Sequence, residues 1–210
     1  MTARSPEALR SSLDARLLLL AQERGQDVNR LRRHVTFQRL LRRVGPDWVL
    51  KGGYLLEVRL GAWARATRDV DLALSEATSD LCEALRTALD SDPDGDHFVF
   101  RVTGERAHRG RAADLGGPGA HLSVAAFLAG RPFATIRVDV VARAGEIKGG
   151  TEQVTLPIVV AEPGWPAVTV TAVDLEQHAA EKLHALATMW THPEPSTRVK
   201  DLLDVVLLVD

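Results

Sequence analysis

The sequence predicts an α/β (α+β) fold: a mixed sheet with N-terminal helices on one side of it in the chain and a C-terminal helical part on the other. Three observations carry this. Between residues 48 and 141, runs of alternating polarity such as Asp69-Val70-Asp71-Leu72 and Ile136-Arg137-Val138-Asp139-Val140 take turns with stretches of helical period. Before residue 45 the leucines recur only at helical spacing, and after residue 173 that spacing returns. The chain has 210 residues, 45% hydrophobic and 26% charged, which suffices for a full core and excludes disorder as the dominant state. No run approaches the roughly 20 apolar residues of a membrane span. Leu17–Leu20 lacks the layout of an export signal. The single Cys82 excludes an intrachain disulfide and a thiolate zinc cage. A cytoplasmic protein without a membrane partner is expected.

Each element has a local reason. Over 6–24, Leu9, Leu13, Leu17 and Leu20 share a face, Ser5 can cap, Pro6 suits the first turn and Gly25 stops the helix. Over 26–44, Phe37, Leu40, Leu41 and Val44 form one face and Arg32, Arg39 and Arg43 the opposite one, until Gly45-Pro46 ends the helix. Trp48-Val49-Leu50 is a short strand that turns through Lys51-Gly52-Gly53 into a helix. Val70, Leu72 and Leu74 are the apolar face of the next strand. A helix over 77–89 and strands near 97–103, 121–128 and 133–141 follow, with a glycine-rich loop over 104–119. Weaker strands are expected near 154–160 and 167–171, and helices over 174–191 and from 196 onward. On the first of these helices Leu175, Ala179, Leu183, Leu186 and Trp190 form the expected apolar face, with Lys182 at its flank. The apolar Val205–Val209 run predicts a last helix that is buried or continues into a further segment.

Charge is unevenly placed. Residues 1–43 hold ten arginines against four acids, a surplus of six, so the rest of the chain carries −8 within a total of −2. A basic end on an acidic body suggests a face for a polyanion. The stripe Arg32, Arg39 and Arg43 reads either as that face or as a plain solvated helix surface. Arg106, Arg109 and Arg111 in the long loop are further candidates for RNA contact. Only four of the 26 basic residues are lysine, Lys51 and Lys182 among them. A lysine that persists in such a sequence suits a site needing a compact charge.

Three pieces carry chemistry. At the strand–Gly52-Gly53–helix turn, backbone can approach a phosphate closely and helix N–H groups face it. Asp69 and Asp71, two apart on a strand, point to one face; two such anions repel unless a cation lies between them. Asp139, on another strand of the same pattern, can add a third carboxylate. Three carboxylates suit Mg²⁺ or Mn²⁺ and in-line phosphoryl or nucleotidyl displacement.

The motifs and their order resemble the AbiEii/AbiGii toxins of type IV toxin–antitoxin systems, including the MenT-like nucleotidyltransferases, within the DNA polymerase β-like superfamily. The resemblance rests on Lys51-Gly52-Gly53-x-Leu55, on Arg65-Ala66-Thr67-Arg68-Asp69-Val70-Asp71-Leu72, on Ala180-Glu181-Lys182-Leu183-His184-Ala185 and on Arg198-Val199-Lys200-Asp201-Leu202-Leu203-Asp204. It runs from about 48 to 206; with the basic N-terminal helices it divides the chain into a basic helical segment over 1–46, an expected nucleotidyltransferase core over 47–172, and a helical part over 173–210 expected to complete the active site. It also implies that Gly52 and Gly53 cradle the nucleotide phosphates, with Lys51 beside them. Asp69 and Asp71 bind metal with Asp139. Arg65 and Thr67 hold the triphosphate or shape the loop, Lys182 contacts the phosphates, and Asp201 or Asp204 completes the site. The implied reaction moves a nucleoside monophosphate from an NTP to an acceptor, the 3′ end of a tRNA, and blocks translation. An antitoxin protein is the implied partner.

The residues alone leave simpler roles open. Lys182 fits a snorkelling lysine. Arg198 with Asp201, and Lys200 with Asp204, fit surface ion pairs. His178 and His184 have no zinc-ligand spacing, and Cys82 fits a core position. Two rival functions stand beside the transfer to tRNA: nucleotidylation of a protein hydroxyl, and a non-catalytic nucleotide-binding module held by an antitoxin.

Overall fold

A computed structural model describes residues 5–74, 80–107, 119–142, 150–189 and 199–209. Helix α1 (Pro6–Arg24) starts where Ser5 accepts the Ala8 N–H and stops at Gly25 in the left-handed region. Asp27 caps α2 (Val28–Leu41), which ends three residues short of the expected Val44. Then come β1 (Trp48–Lys51), α3 (Gly52–Leu60), β2 (Asp69–Leu74), α4 (Leu81–Leu89), β3 (Phe98–Ala107), β4 (Gly119–Leu128) and β5 (Arg131–Ala142). The described chain closes with β6 (Thr151–Thr155), β7 (Thr169–Val173), α5 (Leu175–Met189) and α6 (Val199–Val209).

The seven described strands form one sheet in the order β3-β4-β5-β2-β1-β7-β6. The β2–β5 and β1–β7 pairs are parallel and the rest antiparallel, so the sheet is mixed. The strand expected at 154–160 lies instead at Thr151–Thr155. Pro157 has no N–H for a ladder, and its carbonyl takes the Gln38 side chain. Strand β3 runs to Ala107, into the segment expected to be loop.

Alternation decides the two faces of β3–β5. Phe98, Phe100, Leu122, Val124, Ile136 and Val138 are buried on one face. Helices α1, α2 and α4 pack against these strands. Arg101, Thr103, Thr135 and Arg137 point the other way and are exposed. Leu9, Leu13 and Leu17 belong to the same apolar cluster as the sheet residues. Arg10 ties α1 to the β4–β5 turn by donating to the Leu128 and Arg131 carbonyls at 3.0 Å.

The arginine stripe on α2 is not the solvent-facing surface the periodicity suggested. Arg39 and Arg43 are 2% and 5% exposed. Arg43 reaches both Asp96 oxygens, at 2.8 and 2.6 Å, and the Phe98 carbonyl at 3.0 Å. Arg39 reaches Asp94 at 3.1 Å and stacks 4.4 Å from the Trp165 ring centroid. The cause is the turn before β3, which folds acidic side chains over a helix face that looks polar in isolation. Arg32 is half-buried and pairs with Asp14 at 2.9 Å.

The C-terminal helices also depart from their patterns. Helix α5 exposes Leu175 and Leu183 and buries His178, while α6 half-exposes Leu202, Leu203 and Val206 and buries Asp204. Of the two expectations for the last helix, burial does not hold at Leu202, Leu203 and Val206. No helix among the described residues is long and apolar enough to cross a membrane. Burial, then the charges of Arg59 and Lys182, push His178 down to about 4. The imidazole stays neutral and its Nδ1 accepts from Arg59 Nη1 at 2.7 Å. The unfolded chain binds this proton more readily, so His178 contributes stability that is full above pH about 6.5 and lost as pH falls toward 4. Between pH 7 and 5 the loss is about 2 kcal/mol. Thermal unfolding should show His178→Gln losing less stability than the parent over that interval. The paired comparison separates this group from Asp71, which pulls the opposite way.

Candidate active site

The site grows from the β1–α3 turn. Gly52 has φ +66°, and a Cβ there would sit 2.0 Å from Asp71 Oδ2. Any side chain at position 52 must therefore displace the Asp71 carboxylate. A Cβ on Gly53 would meet Thr67 Oγ1 at 3.1 Å, so Thr67 lines the same turn. Sheet register sets the acids. Asp71 is opposite Lys51 on β1 and beside Asp139 on β5. Asp69, one pleat away, shares their face. The sequence showed two carboxylates on one strand; the structure brings Asp139 level with them through the parallel β2–β5 pairing.

The electrostatics are those of a cation site in its donors. Burial first, then the charge of Asp139, push Asp71 up to about 6, against the pull of Lys51 and Lys182. The Oδ1 atom of Asp69 is buried without a hydrogen-bond partner, and Arg137 Nε lies 3.6 Å from it. An unpartnered carboxylate oxygen on Asp69, with Asp71 and Asp139 on the same sheet face, is a donor set that Mg²⁺ and Mn²⁺ take, so the residues present fit such an ion. The three carboxylates do not, however, converge into the ready-made cage expected from sequence. Among the described residues no group of three His, Cys, Asp or Glu is set to hold a metal. Asp139 Oδ1 is engaged instead by His121 Nδ1 at 2.6 Å.

The cationic wall comes from three elements. Asp204 of α6, fully buried, accepts from Lys182 Nζ at 2.8 Å and from Arg65 Nε and Nη2 at 3.2 Å each. One carboxylate thus holds two cations, leaving net positive charge beside the glycine turn. Asp204 acts on Lys182 and Arg65, and the Lys200 side chain lies outside the described residues. Lys51 pairs with Glu181 at 3.6 Å. Removing the shared anion leaves Lys182 and Arg65 to repel each other. Asp204→Asn should lower stability by about 2 kcal/mol, read from denaturant unfolding, because both cations keep only partial access to water.

Several contributors were not visible in the sequence. Glu57 of α3 is buried, accepts the Thr67 N–H at 3.2 Å and pairs with Arg30 and with His34. It thereby fixes the loop that presents Arg65 and Thr67 to the turn. Aligning β4 on β5 across the Ala129-Gly130 turn alone would set His121 opposite Val138; the register shift between Ala126 and Phe127 moves it opposite Asp139, so this contact needed the fold. Arg109 and Arg111 lie outside the described residues, as does the side chain of Asp201. Arg106 is exposed on β3 and lines an open cleft of about 530 Å³ with Asp69, His121, Ser123, Arg137 and Asp139.

The family model described as Nucleotidyl transferase AbiEii toxin, Type IV TA system, matches residues 38–210. The chain belongs to this family. The AbiEii match covers the glycine turn, the acidic strand, Asp139, Lys182 and Asp204 in one span. MenT4, a nucleotidyltransferase toxin from Mycobacterium tuberculosis H37Rv, is similar in fold, with TM-score 0.53 and 21% identity. The likeness covers 82% of this chain and 58% of MenT4, so the AbiEii chain here spans somewhat more than half of that protein's length. JHP933 from Helicobacter pylori is also similar, with 14% identity and TM-score 0.44, covering 83% of this chain and 62% of that one. No curated protein matches the sequence.

Proposed function

We propose that this AbiEii-family chain is a metal-dependent nucleotidyltransferase that moves a nucleoside monophosphate from an NTP to the 3′ end of a tRNA, blocking aminoacylation and so translation. The observation that carries this reading is the junction of an acidic pair, Asp69 and Asp71, with the cationic cluster of Arg65 and Lys182 at a glycine turn. Acids that suit a cation and cations that suit phosphates are both needed by a triphosphate substrate.

In the reaction the acceptor hydroxyl oxygen bonds to the α-phosphorus and the α–β P–O bond breaks. Its electron pair leaves with pyrophosphate, and the hydroxyl proton passes to solvent. Gly52 and Gly53 let the phosphates approach the backbone at the start of α3, with Lys51 beside them. Lys182 and Arg65, held by Asp204, offset charge that develops on the leaving pyrophosphate. Thr67 shapes the turn against Gly53. Asp69 and Asp71, with Asp139, are the residues that would hold Mg²⁺ or Mn²⁺, which would supply charge neutralisation for the triphosphate and a lowered pKa for the attacking hydroxyl. Asp201, three residues before Asp204 on the last helix, is the other acid that would complete the site. The partner that silences the toxin in the cytoplasm is a cognate antitoxin protein.

The test is incubation with each α-labelled NTP, Mg²⁺ and total RNA, followed by denaturing gels of RNA and protein. Label on tRNA-sized RNA supports the reading. Label on protein alone supports nucleotidylation of a protein hydroxyl, and no transfer at all supports a non-catalytic nucleotide-binding module.

A further inference from the structure

The open face of β3–β5 ends at the acidic corner, and register makes its layout explicit. One row across the sheet is Arg106, His121, Asp139 and Asp71. The next is Gly104, Ser123, Arg137 and Asp69. Further along β4, Arg101 flanks Ala125 and Val99 flanks Phe127. The irregularity between Val102 and Gly104 is what returns Arg106 to this face. Glu105, opposite the buried Leu122, points to the helical side, where it pairs with Arg86 of α4. The face therefore carries Arg101, Arg106 and Arg137, and on β3–β5 its carboxylate is Asp139, at the acidic end. Among the described residues neither Arg101 nor Arg106 has a carboxylate partner. The Arg101 guanidinium lies 5.1 Å from the Phe127 ring centroid. Val99 beside it is 51% exposed.

We propose that this open face of β3–β5 is the docking track for the acceptor, a single-stranded nucleic acid whose bases stack at Phe127 and Arg101 and whose phosphates meet Arg137 and Arg106. The track delivers the strand's 3′-hydroxyl to Asp69, Asp71 and Asp139. This rests on the transferase reading above. Charge complementarity favours a polyanion, because among the described residues the face is positive along its length and negative where the cation-binding acids stand. An aromatic ring with a stacked guanidinium on a bare sheet takes bases of any sequence. Six residues of β4 separate Phe127 from His121, about 20 Å at strand spacing, which is room for a few nucleotides. A duplex is too broad to lay its bases on the ring, so a single strand is preferred.

The experiment uses the full chain with Phe127→Ala and Arg101→Ala, both remote from the acidic corner. Fluorescence anisotropy with a 5′-fluorescein single-stranded RNA, against the same RNA in a duplex, reads affinity and its salt dependence. NTP-analogue affinity and circular dichroism, expected unchanged, report that the site and the fold are intact. Phe127→Ala should weaken single-strand binding roughly five- to hundredfold, the loss of one stacked base. Arg101→Ala should weaken it roughly two- to fivefold, the loss of the guanidinium that stacks with the bases. Unchanged single-strand affinity in both variants overturns the track, as does a parent that does not bind the RNA. If the parent labels RNA but neither variant changes the KM for RNA, the track is wrong and the transferase reading stands. If the parent labels only protein and Phe127→Ala slows that labelling, the face takes a polypeptide and both fail.

Discussion

Asp71→Asn is expected to remove nucleotide transfer, by about a thousandfold or more, while leaving the fold at least as stable as the parent. The first half follows from position. Asp71 lies between Lys51 and Asp139 in the sheet, with its Oδ2 packed on Gly52, so it faces both the proposed cation and the phosphate turn. Losing one carboxylate there weakens cation binding and removes charge stabilisation made in the transition state, roughly 4 kcal/mol. The second half follows from burial. An anion pressed against Asp139 and Asp69 inside the protein opposes folding, and an isosteric amide relieves that repulsion. A gain of about 1–2 kcal/mol is expected without metal. Label transfer and thermal unfolding measured on the same preparation check both. An active variant, or one inactive through unfolding, contradicts the assignment.

Arg43→Ala, just after α2, is expected to destabilise the fold by about 3–5 kcal/mol, with a fall in Tm of roughly 10 °C. Arg43 and Asp96 are both shut from solvent, and Asp96 also accepts the Phe98 N–H at 2.9 Å. Truncating the arginine strands that carboxylate in the core and removes a guanidinium 4.9 Å from the Phe100 ring centroid. Arg32→Ala, on α2 and partly in water, should change stability by less than about 1 kcal/mol. The double change Arg43→Met with Asp96→Leu should recover much of the loss, since an apolar pair of similar volume replaces an ion pair of small net value. Equal, small losses for Arg43→Ala and Arg32→Ala would show that the stripe lies at the surface after all. Any loss of RNA binding in Arg39 or Arg43 variants would reflect damaged packing.

The same residues mark where sequence stops being informative. Local rules placed the helix cap at Ser5, the glycine turn, and the alternation of β2 and β5, because each depends on neighbours a few residues away. The strand order did not follow from them, so neither did the alignment of Asp71 with Asp139, 68 residues on. Arg39 and Arg43 were misplaced for a related reason. Periodicity marks a polar face, and it cannot tell water from Asp94 and Asp96, which come from a turn some fifty residues later. Helices α5 and α6 show the converse. Their leucines suggested an inward face, but the inward positions are held by His178 and Asp204, which serve Arg59, Lys182 and Arg65. The glycine pair, the acids and Lys182 were legible as motif residues. The clamp by Glu57, the role of Asp204 as a holder of cations, and His121 beside Asp139 needed the fold.

The central claim is that Asp69, Asp71 and Asp139 hold a divalent cation beside the phosphates of an NTP. Its most direct test is electron paramagnetic resonance of Mn²⁺ titrated into the full chain with a non-hydrolysable NTP analogue. The account predicts protein-bound Mn²⁺ in the parent and in Arg101→Ala, with binding lost or weakened tenfold or more in Asp71→Asn, a difference of about 1.4 kcal/mol. Equal Mn²⁺ binding in the parent and Asp71→Asn would contradict it.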